Sequence, residues 1–243
     1  MSFFYSFLLI INYMETAKLG KLTYQYERET FDYSELPPIT HDDAKQVLFE
    51  TQDIFKNIGL DIYLSFGTLL GAVRDKDFIK GDLDVDVYVK DERFLFQHLK
   101  DIDAAGLKLV RARKHYMYSF RYKKNPNCYI DVYILKKTFS IWGIYCYSLL
   151  NFMTPKKLLR DGSIEFLGRT FACPKDPEAI LEFWYTDTWR TPIGKFQKKY
   201  YYEVKSHYYY RKALKNTKLF TRRIISAIIG DNMTHKLKEK LLG

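Results

Sequence analysis

Three aspartates alternate with apolar residues in the segment Asp82-Leu83-Asp84-Val85-Asp86. Because successive side chains of a β-strand point to opposite faces, we expect Asp84 and Asp86 on one face, about 6–7 Å apart. Carboxylates held that close repel each other unless a cation lies between them. Hard oxygen ligands suit Mg²⁺ or Mn²⁺, which complete their shells with water and substrate phosphates. The pattern therefore predicts a divalent metal site; the alternative is an acidic strand edge that faces solvent.

A second predicted strand, Cys128 to Leu135, supplies a further carboxylate. Asp131 is the single acid in this apolar segment, and burying a charge is costly unless it is paired or bound to a metal. If the two strands are neighbours, Asp131 completes a cluster of three carboxylates. The alternative is an ordinary ion pair within the sheet.

A predicted strand-to-helix turn at Gly67-Thr68 favours a phosphate ligand. Backbone N–H groups at a helix start attract anions, and glycine permits their close approach. Three cationic side chains stand between this turn and the acidic strand, namely Arg74, Lys76 and Lys80. Together, the turn, the cations and the carboxylates predict a site for phosphoryl transfer.

The elements that must position these residues predict an α+β fold. Thr40 and Asp43 resemble a capping box, a helical apolar period follows, and Gly59 ends that helix. Alternating apolar and polar residues then predict half-buried strands at 60–66 and 82–89. The remaining predictions are helices at 69–74 and from the Asp91 cap to 105, and strands at 107–111, 115–122 and 128–135. This order predicts a mixed sheet flanked by helices.

Beyond Lys137 the pattern becomes aromatic, and we predict helices. Residues Phe139 to Met153 carry no charge and are too few to span a bilayer. They predict a helix buried in the core, with an interfacial helix as the alternative. Pro174, Asp176 and Pro177 predict the start of a further short helix that continues through Tyr185.

The residues of the predicted site resemble a known family. The segment from Phe66 to Arg74, followed by Phe78-Ile79 and by Asp82 to Asp86, is similar to the LicD-type transferases, which are related to the fukutins. Further similarity lies at 129–133, 174–177 and 189–192, so that the resemblance covers roughly residues 40–192. It implies a nucleotidyltransferase-like fold that moves a phospho-alcohol, such as phosphocholine or ribitol phosphate, from a CDP-activated donor to a glycan. CMP is then released, in the biosynthesis of capsule or lipopolysaccharide.

The resemblance also implies roles for individual residues. Asp84 and Asp86 would hold Mg²⁺ or Mn²⁺, and Asp131 would be a third ligand and the base for the acceptor hydroxyl. The residues implied to bind the donor phosphates are Gly67, Thr68, Arg74, Lys76 and Lys80.

The chain departs from the family pattern at three positions. The family often has Pro-Trp-Asp-Asp-Asp where this chain has Lys80-Gly81-Asp82-Leu83-Asp84. Leu83 is predicted to face the core, so the missing acid leaves the metal site intact, whereas Gly81 in place of Trp changes the substrate contacts. Lys136 also stands where the family commonly has an acid.

Charge is concentrated at the C-terminal end of the chain. The net charge of the 243 residues is +10, and residues 195–243 contain 13 Lys and Arg against three acids, which leaves the rest neutral. We predict three parts: an N-terminal extension (1–39), a catalytic domain (40–194) and a basic, Tyr-rich helical segment (195–243). The basic segment suits a polyanion, such as nucleic acid, an anionic membrane surface or a glycan acceptor linked to lipid. The alternatives are a solvated helix face and a terminal helix packed on its own domain.

Other features bear on location. No apolar run reaches the ~18–20 residues of a spanning helix, and three scattered cysteines without close-spaced pairs predict reduced thiols. The apolar run Phe3 to Tyr13 has no basic residue before it, which predicts a docked strand or helix, or an extension upstream of a start at Met14. We therefore expect a cytoplasmic protein in peripheral contact with the inner membrane face.

Two alternatives to phospho-alcohol transfer remain at this stage. The same fold could place a nucleoside monophosphate on a small molecule or a protein, releasing pyrophosphate. The second alternative is a module that binds nucleic acid or membranes through the basic segment and its tyrosines. Nucleic acid is disfavoured, because the metal constellation lies outside that segment and a simple binder has no need of it.

Overall fold

The computed structural model describes residues 11–30, 37–138, 146–149 and 152–192. Five helices occur in these ranges: α1 (His41–Asn57), α2 (Phe66–Arg74), α3 (Glu92–Gln97), α4 (Leu99–Ala104) and α5 (Pro177–Tyr185). The strands are β1 (Ile11–Leu19), β2 (Leu22–Thr30), β3 (Tyr63–Leu64), β4 (Val85–Val89), β5 (Leu107–Arg113), β6 (Met117–Tyr122), β7 (Tyr129–Ile134), β8 (Lys136–Thr138), β9 (Cys146–Leu149), β10 (Phe152–Pro155), β11 (Asp161–Phe166) and β12 (Arg169–Pro174).

A mixed sheet of seven strands forms the centre of the fold, in the order β11-β12-β3-β4-β7-β6-β5. The middle strand β4 pairs antiparallel with β3 and parallel with β7. Helix α2 packs against β4 and against α5. The predicted α+β class, a mixed sheet flanked by helices, is therefore confirmed, and the two strands that carry the acids are neighbours.

The helix caps expected from the sequence are present. The Oγ1 atom of Thr40 accepts the Asp43 N–H at 3.2 Å, and Gly59 follows α1 with a positive φ of 81°. Asp91 and Asp176 cap α3 and α5 in the same manner. Short polar side chains satisfy N–H groups that have no partner within the helix, which explains why these starts were predictable.

The two strands next to the predicted site are shorter and more buried than expected. Strand β3 has two residues, and β4 begins at Val85 instead of Asp82. The main chain at Asp82 instead accepts a hydrogen bond from the Ile39 N–H, at 2.9 Å, which holds residues before β4 in a loop. Every residue of both strands is buried, because a central strand of a covered sheet is shielded on both faces.

The helix predicted over residues 139–153 is wrong for the residues that the structure describes. Strands β8, β9 and β10 form a separate antiparallel sheet of three strands there. The segment is rich in Tyr, Ile, Phe and Trp, which favour strands, and the periodicity of a short apolar run does not separate a buried helix from a strand. The single helix predicted after Asp91 is likewise divided at His98 into α3 and α4.

Two hairpins were not predicted, β1–β2 and β11–β12. The first packs on the central sheet through a buried ion pair, in which the Arg121 Nε donates to Glu29 Oε2 at 2.8 Å. The Tyr26 hydroxyl accepts the Ala112 N–H of β5 at 3.2 Å. The described part of residues 1–39 is therefore docked on the sheet.

The remaining predictions concern the basic segment, membrane-spanning helices and the cysteines. The basic segment at 195–243, predicted to be helical, lies outside the described residues. Within the described ranges, no helix combines the length and the apolar character needed to cross a membrane. Cys128 and Cys173 are buried free thiols, and burial raises the pKa of each to about 11.

Candidate active site

Three carboxylates meet at the centre of the sheet. Asp84, Asp86 and Asp131 each offer an oxygen, and these oxygens all lie within 4.8 Å of one another. Asp86 on β4 and Asp131 on β7 are register partners, while Asp84 lies just before β4. Asp86 and Asp131 are 6% and 3% exposed, and Asp84 is partly exposed. An all-oxygen donor set of this size, open on one side, fits Mg²⁺ or Mn²⁺.

The carboxylate of Asp86 is fixed from two directions. The Gly67 N–H, in the first turn of α2, donates to its Oδ2 at 2.9 Å, and the Tyr133 hydroxyl of β7 donates to its Oδ1 at 3.1 Å. In addition, the Asp86 N–H donates to Thr68 Oγ1 at 2.8 Å, which ties β4 to α2. The start of α2 thus positions the acid, because the Gly67 N–H has no partner within the helix and donates to the carboxylate.

The turn into α2 has an unusual backbone conformation. Phe66 is in the left-handed region with φ of 38°, which a residue with a large side chain rarely adopts. Its ring lies 4.8 Å from that of Tyr133 and 4.7 Å from that of Trp184, between centroids, and this packing holds the turn. Left-handed backbone in large residues concentrates at functional sites. Here it lies directly before Gly67, whose N–H donates to Asp86.

The electrostatics of the cluster favour cation binding. Burial, together with the nearby Asp82 and Asp131, raises the pKa of Asp86 to about 8, against the hydrogen bonds from Gly67 and Tyr133. Burial and the same acidic surroundings hold the pKa of the Tyr133 phenol well above its usual range. Tyr133 therefore stays a donor, and a divalent cation would relieve the repulsion among the acids.

Gly67 and Thr68 bind Asp86 through the same groups that were predicted to bind a phosphate. A Cβ atom at Gly67 would lie 2.7 Å from Asp82 Oδ2 and 2.9 Å from Asp86 Oδ2, so there is no room for a side chain. Direct contact of these two residues with a donor phosphate stays a prediction. What the structure adds is a role for both in orienting the acid.

The predicted cations are placed differently from one another. Arg74 donates to both oxygens of Asp75, at 2.8 and 2.7 Å, and to the Trp189 carbonyl at 3.4 Å. Lys76 and Lys80 are exposed in the loop between α2 and β4. Their contact with a substrate stays a prediction. A different arginine reaches the acids, since Arg111 Nη2 lies 3.8 Å from Asp131 Oδ1.

Three residues of the site were not assigned from the sequence. Tyr133 looked like a core residue, although its spacing of two from Asp131 places both on one face and could have revealed it. Asp82 was visible in the acidic run, and its carboxylate lies against Gly67. The sequence around Arg111 did not indicate a role in the site, because the sequence of β5 alone does not show that Asp131 lies two strands away, on β7.

Tyr133→Phe tests the hydrogen bond to Asp86. The ring and its packing on Phe66 remain, so we expect a loss of about 0.5–1.5 kcal/mol in unfolding free energy. Activity of the predicted site should fall about tenfold or more, as is usual when a partner of a metal ligand is removed. Tyr88→Phe is the matched control, because the buried Tyr88 hydroxyl has no hydrogen-bond partner among the described residues. Equal activity of the two variants would contradict the role of Tyr133.

Comparison with known proteins supports the fold and the family resemblance. Residues 59–176 match the family model described as LicD/FKTN/FKRP, nucleotidyltransferase domain. Curated protein sequences gave no match. The solution structure of the antibiotic-resistance factor ANT(2'')-Ia is similar, with a TM-score of 0.50 and 11% identity over 77% of this chain and 99% of that chain. The lincomycin-bound lincosamide antibiotic adenylyltransferase LnuA gives a TM-score of 0.43 at 11% identity, over 70% of this chain and 97% of that chain.

These findings agree with the geometry of the site. The similarity to ANT(2'')-Ia concerns the fold alone, and it confirms the nucleotidyltransferase-like architecture expected from the sequence. The family match spans the turn at Gly67 and all three clustered aspartates. Residues 59–176 therefore match the LicD/FKTN/FKRP family model, which supports the LicD-type resemblance found in the sequence.

Proposed function

We propose that the chain transfers a phospho-alcohol of the phosphocholine type from a CDP-activated donor to a glycan of the cell surface, releasing CMP. Asp84, Asp86 and Asp131 would hold the Mg²⁺ or Mn²⁺ on which the reaction depends. The observation that supports this most strongly is the cluster itself, three carboxylate oxygens within 4.8 Å at the centre of the sheet. The family match supports a transferase of phosphoryl or nucleotidyl groups.

The residues of the chain would act mainly by position and charge. When bound, the ion would offset the negative charge of the donor diphosphate and of the departing CMP. An acceptor hydroxyl would attack the distal phosphorus in line, forming the new O–P bond as the bond to the CMP phosphate breaks. Asp131 would take the proton of that hydroxyl. Gly67 and Tyr133 would keep Asp86 in place, so that little reorganisation is needed during transfer.

A panel of CDP-alcohols tests the proposal. Purified protein is incubated with CDP-choline, CDP-ribitol or CDP-glycerol and Mg²⁺, with and without glycan acceptor, and CMP is measured by chromatography. We expect one donor to give CMP that depends on Mg²⁺, and Asp131→Asn to abolish it. CMP release that persists at full rate in the presence of EDTA would overturn the proposed metal dependence.

Transfer of a nucleoside monophosphate is the second candidate, because the matched family model describes a nucleotidyltransferase domain. The two reactions differ in their leaving group. Incubation with nucleoside triphosphates would then give pyrophosphate, while CDP-alcohols would give no CMP. That combination of products would replace phospho-alcohol transfer by nucleotidyl transfer while leaving the metal site in place.

The acceptor and the location are proposed from the charge of residues 195–243. Thirteen basic residues against three acids suit an anionic or lipid-linked glycan at the cytoplasmic face of the membrane. Sedimentation with liposomes should show preferential binding to anionic over neutral lipid, and the preference should disappear when residues 195–243 are deleted. Equal sedimentation with both lipids would argue against it. Loss of function on that deletion, with none in Asp84→Asn, would instead favour the binding-module alternative.

A further inference from the structure

A row of polar side chains crosses four neighbouring strands of the central sheet. Asp86 on β4 is the register partner of Asp131 on β7, and Asp131 is the partner of Ser119 on β6. Ser119 is in turn the partner of Arg111 on β5. Since neighbouring strands lie about 4.8 Å apart, Arg111 starts roughly 10 Å from Asp131, a distance that its long side chain can cover.

Arg111 belongs to this row because the pairing of β5 with β6 shifts by one residue. Leu109 lies opposite Phe120, but Arg111, and not Val110, lies opposite Ser119. A regular strand would place Val110 in the row and would turn Arg111 to the other face of the sheet. Such bulges re-aim side chains and occur often beside active sites. Here the bulge brings a cation to the face that holds the carboxylates.

The guanidinium of Arg111 is held by Ser119, which lies between Arg111 and Asp131 in the row. Its Nε and Nη2 atoms donate to Ser119 Oγ at 3.1 and 2.9 Å, and Nη2 lies 3.8 Å from Asp131 Oδ1. The side chains of Arg111 and Asp131 are 13% and 4% exposed, and Ser119 is fully buried. Two hydrogen bonds to one hydroxyl fix a planar group firmly, and a buried ion pair is weakly screened.

We propose that Arg111 is a positioning residue of the metal site. Held by Ser119, it fixes the Asp131 carboxylate in the orientation that binds the divalent ion together with Asp84 and Asp86. The inference rests on the proposed function and deepens it, because it identifies residues that hold a metal ligand without binding the ion themselves. The charges agree with this role, since three carboxylates, one guanidinium and one divalent cation sum to zero.

The affinity for Mn²⁺ alone tests the inference without donor, acceptor or turnover. Free Mn²⁺ is counted from the sharp EPR signal of the hydrated ion while protein is titrated. We expect about 10–100-fold weaker binding in Arg111→Met, as for other partners of metal ligands. Arg111→Lys should also bind more weakly, because an ammonium keeps the charge but lacks the planar fork. Arg113→Met, the same change at an exposed arginine of β5, should bind as wild type does.

The sign of the change separates orientation from simple charge. If Arg111 acted only as a positive charge, its removal would strengthen the attraction for a cation, so unchanged or tighter Mn²⁺ binding in Arg111→Met overturns the inference. Ser119→Ala provides a second variant that keeps the arginine, and it should weaken binding by a smaller factor. Thermal unfolding without metal shows which variants are folded, and the comparison uses those.

The outcome also distinguishes this inference from the proposed function. If wild-type protein and Asp131→Asn bind Mn²⁺ equally, the metal site itself is absent and both proposals fail. If wild-type protein binds Mn²⁺ through Asp131 but Arg111→Met, Arg111→Lys and Ser119→Ala bind it equally well, only the role of Arg111 is wrong.

Discussion

Asp86→Asn is expected to reduce transfer by about 10³-fold or more while leaving the protein folded. The substitution keeps the shape of the side chain and lets the Gly67 N–H still find an oxygen. It removes, however, a negative charge from the centre of a site where charge stabilisation supplies several kcal/mol of the acceleration. The measurement is CMP release from the preferred CDP-alcohol at saturating Mg²⁺. Substantial activity of the folded variant would remove Asp86 from the reaction.

The same variant should alter the pH dependence of stability. Burial raises the pKa of Asp86 from its ordinary value of 3.8 to about 8. Between these pH values the folded chain holds a proton that the unfolded chain has released, so the contribution of Asp86 to stability is lost as pH rises through this window. Asparagine has no proton to lose. Without metal, we therefore expect the unfolding free energy of Asp86→Asn to exceed that of wild type by roughly a few kcal/mol near pH 8.

Urea unfolding in EDTA at pH 5 and pH 8 measures this difference. Mg²⁺ should restore the stability of the wild-type protein at pH 8 and should have little effect on Asp86→Asn, because only the first retains the full cluster. Asp61→Asn, at an exposed aspartate before β3, is the control and should match wild type throughout. A stability difference between Asp86→Asn and wild type that does not change with pH would contradict the buried, proton-holding state of Asp86.

Gly67→Ala is expected to reduce transfer by about 10²-fold, with a small effect on stability. Its Cβ would stand 2.7 and 2.9 Å from the carboxylate oxygens of Asp82 and Asp86, so one or both acids must move. Displacement by about 1 Å in a site that works by position costs activity on this scale. Alanine favours a helix by about 1 kcal/mol over glycine, which offsets part of the steric cost.

Gly71→Ala in the same helix is the matched comparison. Its Cβ would meet the backbone of the following loop, at 2.4 Å from the Asp77 carbonyl oxygen, where no side chain can give way. We expect a loss of about 1–3 kcal/mol in unfolding free energy. Melting temperature and kcat, measured together, should show Gly71→Ala as the less stable variant and Gly67→Ala as the less active one. A wild-type kcat in Gly67→Ala would contradict the prediction, because it would show that Asp82 and Asp86 accommodate the added methyl group without loss of function.

Local chemistry explains which elements were predictable. Thr40, Asp91 and Asp176 cap helices through contacts within three residues of themselves, so the helix starts are readable in one sequence. The strand of Asp131 was also recognisable, because an acid among β-favouring residues marks both the strand and its functional face. In these cases the information and the interaction lie in the same short segment.

Longer-range contacts explain what was not predictable. Strand β4 begins at Val85 because the loop before it bonds to Ile39, more than 40 residues away. The aromatic segment after Lys137 forms strands in place of the predicted helix, since partner strands decide between the two conformations. Likewise, the row from Asp86 to Arg111 depends on the order of four strands and on a bulge. Neither can be predicted from the sequence of one strand, because both depend on how distant strands pair.

Diffraction from crystals soaked in Mn²⁺, recorded for the anomalous signal of the metal, tests the central claim most directly. We predict one strong peak at about 2.1 Å from oxygens of Asp84, Asp86 and Asp131, and its disappearance in Asp131→Asn. A peak bound elsewhere in the domain, or none at concentrations that support activity, would contradict the assignment of these carboxylates as the metal site.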